Sequence, residues 1–256
     1  MANKIYQYAV IGDNVTKSKS PKIFKILFEK YNIRAEYTFL EKYNLDKESL
    51  RQILLLLDGA NITSPYKYIA GAACNKVINN NNLLAVNTVL NKNGYLIGYN
   101  TDAFGVFKSF ESIKNKTHYV LLLGAGGAAV SAAKAITTMN KKLYVYNRTF
   151  SKAESLAKIF SAVAIKRLKD IPKEHITIVN TVPNKNFVFN VLENLEVNSL
   201  YFVDAIYPSP PYRNHKKIIK YIKGEKWLIG QALESFHIFT SIKPKKDIEN
   251  YLEKVI

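Results

Sequence analysis

Two regions of this 256-residue chain hold side chains whose types and spacing suggest chemistry. The first is Gly124-Ala125-Gly126-Gly127-Ala128-Ala129, placed after the apolar run Tyr119-Val120-Leu121-Leu122-Leu123. Gly124-x-Gly126-x-x-Ala129 fits the dinucleotide fingerprint. Gly124 permits the tight turn, Gly126 admits a pyrophosphate to the backbone, and Ala129 lets the following helix pack closely. That helix, alanine-rich to about Met139, offers N–H groups and a positive dipole end to phosphates. The next strand, Leu143-Tyr144-Val145-Tyr146, ends in Asn147-Arg148-Thr149, with Lys152 close behind. NAD-binding proteins usually place Asp or Glu there to hold the ribose 2′-hydroxyl. Here a guanidinium stands instead, suited to bidentate pairing with a 2′-phosphate. The expected cofactor is NADP; the plain alternative is a solvated basic turn.

The second region is the first hundred residues. It carries Ser18-Lys19-Ser20-Pro21, Asn61-Ile62-Thr63-Ser64-Pro65-Tyr66-Lys67, Ala85-Val86-Asn87-Thr88 and Asn100-Thr101-Asp102, each at the edge of an expected strand or helix. Taken singly, each reads as a cap or a turn, because Ser, Asn and Asp hydrogen-bond locally to backbone.

The elements that must position these groups follow from hydrophobic periodicity. Ile5 to Ile11 predicts a buried first strand. Ser20 suits an N-cap and Pro21 a first helical residue, and Ile23, Leu27 and Tyr31 recur at helical spacing. Leu54 to Leu57 ends a second helix, and Ala60 to Thr63 is a short strand. Tyr119 to Tyr146 forms a βαβ unit, which implies a parallel sheet with right-handed crossovers. Further strands are expected at 176–179 and 201–203. A helix is expected from Gln231, and Pro244 separates it from a last helix reaching Ile256. The run Asn79 to Asn82 reads as a loop.

Composition narrows the field. Hydrophobic residues make up 48% of the chain, enough for packed cores. No apolar run reaches the roughly 20 residues of a membrane span. Met1-Ala2-Asn3-Lys4 leads straight into strand-like sequence without a signal-peptide core, so the expected compartment is the cytoplasm. The single cysteine, Cys74, lies among small residues and reads as structural. The histidines, His118, His175, His215 and His237, are scattered, and no metal site is expected. The net charge of +17 comes almost wholly from lysines spread along the chain. That pattern favours attraction of anionic small molecules over a nucleic-acid face. No membrane partner is expected, and the assembly is left open between monomer and homodimer.

The order and spacing of the polar clusters, ahead of an NADP-type βαβ unit, resemble the shikimate dehydrogenase family over nearly the whole chain. The matching patterns are S-K-S-P, N-[VI]-T-x-P-[FY]-K, A-V-N-T, N-T-D, G-A-G-G-A and N-R-T, then an Asp–Tyr pair and a Gln near the end. The resemblance implies NADP-dependent reduction of 3-dehydroshikimate to shikimate. It implies that Ser18 and Ser20 bind the substrate carboxylate, that Thr63, Asn87 and Gln231 hydrogen-bond ring hydroxyls, and that Tyr207 contacts substrate. Lys67 and Asp102 would form the catalytic pair. A positioned ammonium stabilises the charge that a ketone oxygen gains as hydride arrives, and it can deliver the proton. Gly124, Ala125, Gly126, Gly127 and Ala128 would cradle the pyrophosphate, and Asn147, Arg148, Thr149 and Lys152 the 2′-phosphate.

Three stretches depart from the family. Its small-residue loop N-A-T-x-x-G reads Asn180-Thr181-Val182-Pro183-Asn184-Lys185. Its G-x-G-M-L-x-x-Q reads Gly224-Glu225-Lys226-Trp227-Leu228-Ile229-Gly230-Gln231, which keeps Gly224 and Gln231; Gly224 and Trp227 are expected on the cofactor side, where Trp227 could pack on the nicotinamide or narrow its pocket. The Asp–Tyr region, Asp204-Ala205-Ile206-Tyr207, loses the usual T-P-L-L ending. The implied fold is α/β, with two domains around a cleft. The substrate domain is expected at 1–101 plus 232–256, and a Rossmann-like NADP domain at 102–231. A quinate/shikimate paralogue with broader cofactor use is the nearest alternative. A non-catalytic NADP(H) sensor is a second.

Overall fold

The computed structural model describes residues 4–78 and 85–256; the asparagine run, read as a loop, lies outside the described residues. The chain divides into two compact units, Met1–Thr101 with Gln231–Ile256, and Asp102–Gly230. Gln231 groups with the first unit.

In the first unit the described strands are β1 (Tyr6–Gly12), β2 (Ala35–Glu41), β3 (Gly59–Ile62), β4 (Lys76–Val77), β5 (Thr88–Lys92) and β6 (Tyr95–Tyr99), with helices α1 (Ser20–Lys30), α2 (Lys47–Leu55) and α3 (Lys67–Ala73) between them. The sheet order is β2-β1-β3-β5-β6-β4. β1 runs parallel to β2 and β3, while β5 is antiparallel to both β3 and β6. The last five residues of β1 are all buried, as a strand covered on both faces requires. The β5–β6 hairpin closes on Asn93-Gly94, both at positive φ (53° and 84°), the backbone that a two-residue primed turn demands. Helix α1 starts one residue earlier than expected. Lys19 is the N-cap and Ser20 the first helical residue, while Ser18 Oγ accepts the Ser20 N–H at 3.2 Å. Pro21 still falls in the first turn, where its missing N–H costs nothing.

The second unit holds β7 (Tyr119–Leu123), β8 (Lys142–Tyr146), β9 (Val163–Ala164), β10 (Ile176–Asn180), β11 (Leu200–Asp204) and β12 (Ile218–Ile222), with α4 (Asp102–Phe110), α5 (Gly127–Thr138), α6 (Phe150–Ile159) and α7 (Lys185–Asn194). All its strand pairs are parallel, in the order β12-β11-β10-β7-β8-β9. That is the doubly wound arrangement, in which strand order reverses beside the first strand, β7, and ligands bind at the carboxyl ends of the strands there. β10 is buried at every position, and Leu121, Leu123, Ile178 and Phe202 join one apolar core with Val188 and Leu192 of α7.

The chain closes with α8 (Gly224–Thr240) and α9 (Lys246–Val255). Helix α8 begins seven residues before the Gln231 start expected from the sequence. Gly224 and Gly230 mask its helical pattern, and Gly224 is required where it stands. A side chain there would lie 2.4 Å from the Ile206 carbonyl oxygen.

Candidate functional site

In the first unit, topology gathers the polar clusters at one end of the sheet. β1 and β3 run parallel and finish at Gly12 and Ile62, so the loops bearing Ser18, Ser20 and Thr63 leave from the same end. β5 is antiparallel to β3 with Thr88 opposite Asn61, which brings Asn87, just before β5, to that end as well. β6 returns to it, with Tyr99 opposite Thr88, and delivers Asn100 and Thr101. Backbone bonds lock the junction. Thr63 N–H donates to Ile11 O (2.9 Å), Ile62 N–H to Asn87 O (2.8 Å), Asn87 N–H to Tyr99 O (3.1 Å) and Val86 N–H to Lys67 O (2.9 Å). Lys67, half-buried, opens α3, two residues after the cis Ser64–Pro65 peptide. A side chain on Gly12 would meet the Thr63 methyl at 2.3 Å, so glycine is what lets the two loops touch.

Beneath these loops lies a polar cluster from which water is excluded. Asn61, Asn87, Thr88, Thr101, Gln231 and Ser235 are all buried. Thr101 N–H donates to Asn87 Oδ1 at 2.6 Å, and Asn87 Nδ2 donates to Thr101 Oγ1 at 3.0 Å and to Gln231 Oε1 at 3.4 Å. Asn61, Thr101 and Ser235 were assigned no role from the sequence. The available signal was a polar residue inside an apolar strand (Asn61), and a serine four residues after Gln231 on one helix face (Ser235).

In the second unit the glycine turn sits where the fingerprint expects it. Gly124 follows β7 with φ +108°, and a side chain there would meet Thr181 Oγ1 at 2.4 Å. Gly126 is the N-cap of α5 in extended backbone, and a side chain on it would meet no protein atom within 4 Å. The space above the turn is thus open to a phosphate, and Ala129 is buried. After β8, Arg148, Thr149 and Lys152 are exposed, and Asn147 Nδ2 donates to Thr149 O at 2.9 Å. No carboxylate stands between Asn147 and Lys152.

The altered loops of this unit are tied to a buried carboxylate. Asp204, at the end of β11, accepts from Asn180 Nδ2 (3.1 Å), Tyr212 O–H (2.9 Å), Tyr221 O–H (2.8 Å) and Ile206 N–H (2.9 Å). Burial raises the Asp204 carboxyl above its ordinary range, against the pull of those donors. Burial and the neighbouring Asp204 charge push both tyrosines upward. Asn180 Oδ1 also accepts Val182 N–H at 2.9 Å. The two loops thus share one anchor. Tyr207 lies half-buried in this segment, before the cis Tyr207–Pro208 peptide. Trp227 is 4% exposed. A side chain on Gly105 of α4 would fall 2.5 Å from its indole, so the ring is engaged in helix packing, with little surface left for a nicotinamide. Gly224, grouped with the cofactor residues by its pattern, serves the close approach of the Ile206 carbonyl. Asp102 opens α4 and is buried, directly after Thr101.

A doubly wound parallel sheet, a glycine turn open above its helix and a cationic strand end define a dinucleotide-binding α/β protein whose first unit gathers oxygen- and amide-bearing side chains. The comparisons carry this further. The shikimate dehydrogenase substrate binding domain matches residues 10–89, and shikimate / quinate 5-dehydrogenase matches residues 106–208. The shikimate dehydrogenase (NADP(+)) of Pyrobaculum islandicum is 31% identical over 252 residues, covering 94% of this chain and 95% of that protein. The crystal structure of shikimate dehydrogenase from Aquifex aeolicus is similar with a TM-score of 0.86 at 26% identity, over 99% of each chain. That of the Thermus thermophilus enzyme, in complex with NADP(H) and shikimate, gives 0.83 at 26% identity, over 98% of this chain and 100% of the other. The chain belongs to the shikimate dehydrogenase family.

Proposed function

We propose that this chain catalyses the reversible, NADP-dependent reduction of 3-dehydroshikimate to shikimate. The observation that carries the reading is the convergence of Ser18, Ser20, Thr63, Lys67 and Asn87 at one end of the first sheet, in a chain that belongs to this family. In this reading the first unit reads the substrate and the second holds NADP. Ser18 and Ser20 bind the carboxylate, and Thr63, Asn87 and Gln231 hydrogen-bond ring hydroxyls, with Tyr207 contacting the substrate. Gly124 to Ala128 leave the backbone bare for the pyrophosphate, and the α5 N-terminus meets its charge. Asn147, Arg148, Thr149 and Lys152 take the 2′-phosphate, with the guanidinium making the paired contact.

NADPH, when bound, supplies the hydride. The protein supplies position and the proton. Lys67 places its ammonium at the carbonyl oxygen, stabilises the charge growing there and gives up a proton to form the alcohol; in the reverse direction it takes that proton back. In this reading Asp102 is the second member of the catalytic pair.

A spectrophotometric assay tests the proposal. Shikimate or quinate is offered with NADP or NAD, and absorbance of the reduced nicotinamide is followed. Reduction of NADP by shikimate, well above the other three pairings, is expected. No reduction with shikimate and NADP overturns the reading, and equal rates with NAD overturn the role of Arg148.

A further inference from the structure

Ser235 lies outside every motif that marks this chain, on the second half of α8. Its hydroxyl nevertheless sits at the centre of the buried cluster. Ser235 Oγ lies 2.8 Å from Thr88 Oγ1 and 3.0 Å from Thr101 Oγ1, and those two are 3.0 Å apart. The three oxygens form a closed triangle. Their residues are 0%, 0% and 1% exposed, so no solvent can replace a missing partner. Ser235 also accepts from Asn61 Nδ2 at 2.9 Å and reaches Gln231 O at 2.9 Å.

Fixed donors at the rim decide how the cluster is wired. A backbone N–H can only donate, so Thr101 N–H, at 2.6 Å, forces the oxygen end of the Asn87 amide inward. The Asn87 amide nitrogen then faces Thr101 Oγ1 and Gln231 Oε1. Since Gln231 turns its oxygen towards Asn87, its own amide nitrogen points the other way. Asn61 is set in the same manner: Tyr37 O–H donates to its oxygen at 2.7 Å, and its nitrogen serves Thr88 and Ser235. Ser235 and Thr88 thus hold Thr101 Oγ1, which in turn lies against the amides of both Asn87 and Gln231. The Asn87 amide is thereby fixed with its oxygen on the Thr101 N–H and its nitrogen on the side of Gln231.

We propose that Ser235 is a positioning residue, which, through Thr88 and Thr101, holds Asn87 and Gln231 in the orientation that reads the ring oxygens of the substrate. The inference rests on the proposed function. Ser235→Ala removes the central hydroxyl with little threat to folding, because Asn61 Nδ2 keeps Thr88 Oγ1 (3.0 Å) and Asn87 O (3.3 Å). Thr88→Val removes a second corner at nearly constant shape, and Thr88→Ser restores it.

The test is steady-state kinetics on the full chain. Ser235→Ala and Thr88→Val should raise the KM for shikimate about 5- to 30-fold, the loss of roughly one well-aligned hydrogen bond. The KM for NADP should be unchanged and kcat altered by less than about 3-fold. Thr88→Ser should return the shikimate KM to the parent value. Combining Ser235→Ala with Asn87→Ala should cost no more than Asn87→Ala alone, because the serine acts through the amide. A parent chain that fails to turn over shikimate removes the reading of the site and this inference with it. An active parent whose shikimate KM is untouched by Ser235→Ala, or whose two substitutions add independently, overturns the inference alone.

Discussion

Gly124 and Gly126 stand two residues apart in one turn, yet the geometry assigns them different work, and alanine separates the two. At Gly126 the backbone is extended and a new methyl meets no protein atom within 4 Å. Gly126→Ala should therefore leave apo stability within about 0.5 kcal/mol of the parent, as for an unstrained surface change. The methyl would stand where the pyrophosphate must approach, and losing one charge-assisted hydrogen bond costs about 1.5–3 kcal/mol. NADP affinity should fall about 10- to 150-fold. At Gly124, φ is +108° and the methyl would land 2.4 Å from Thr181 Oγ1, which itself donates to Leu123 O at 2.7 Å. Backbone strain of about 1–3 kcal/mol and the displaced hydrogen bond together come to about 3 kcal/mol. At about 2–4 °C per kcal/mol, Gly124→Ala should lower Tm by about 6–12 °C. Thermal melts without ligand and calorimetric NADP titrations measure both quantities. A Gly126→Ala protein that binds NADP as the parent does would refute the phosphate approach at this turn. A Gly124→Ala protein with an unchanged Tm would refute the strain argument.

Arg148→Ala should raise the KM for NADP about 10- to 150-fold, the worth of one charge-assisted contact, and that for NAD far less; equal changes for the two cofactors would remove the 2′-phosphate from this residue. Lys67→Ala should lower kcat by about 10²- to 10⁴-fold with a much smaller change in the shikimate KM, and Lys67→Arg should not rescue it because guanidinium hardly releases a proton; near-normal turnover in a variant that still binds NADP would end the assignment. Burial pushes the Cys74 thiol up to about 12, so at pH 8 only about one thiol in 10⁴ is ionised, against about a quarter of free cysteine. Alkylation by iodoacetamide should be correspondingly slow in the folded chain, rise with pH and become fast on denaturation; rapid labelling of the native protein at pH 8 would contradict the burial.

The βαβ core of the second unit was open to reading from local pattern alone. β7 spans the residues expected, β8 starts one residue earlier, and α5 begins within the glycine string, at Gly127, and ends one residue before Met139. Strands buried on both faces are continuous apolar runs, and the turn between them needs glycine for steric reasons a short window contains. The β5–β6 hairpin is equally legible: Asn93-Gly94 between the runs 88–92 and 95–99 is a strong turn signal, and both residues take the positive φ it implies. The start of α8 was hidden, because glycines at 224 and 230 look like breaks until Ile206 is seen packed against one of them. Trp227 presented the same difficulty: its place suggested packing on the nicotinamide or narrowing of its pocket, and only Gly105 of α4 shows what the ring lies against.

Local sequence therefore determined the chemistry available to this protein: the bare turn, the cationic strand end, and the Ser, Thr, Asn and Lys side chains at the ends of strands. Tertiary structure decided which of them meet. That Asn87 faces Thr101 and Gln231, that Ser235 joins Thr88, and that Asp204 ties Asn180 to Tyr212 and Tyr221 all depend on strand order and register across up to 147 positions of chain. The physical reason is range. Helix periodicity, turn backbone and strand burial are set by neighbours within a few residues, whereas a buried hydrogen bond is worth making only after distant segments have been brought together and water removed.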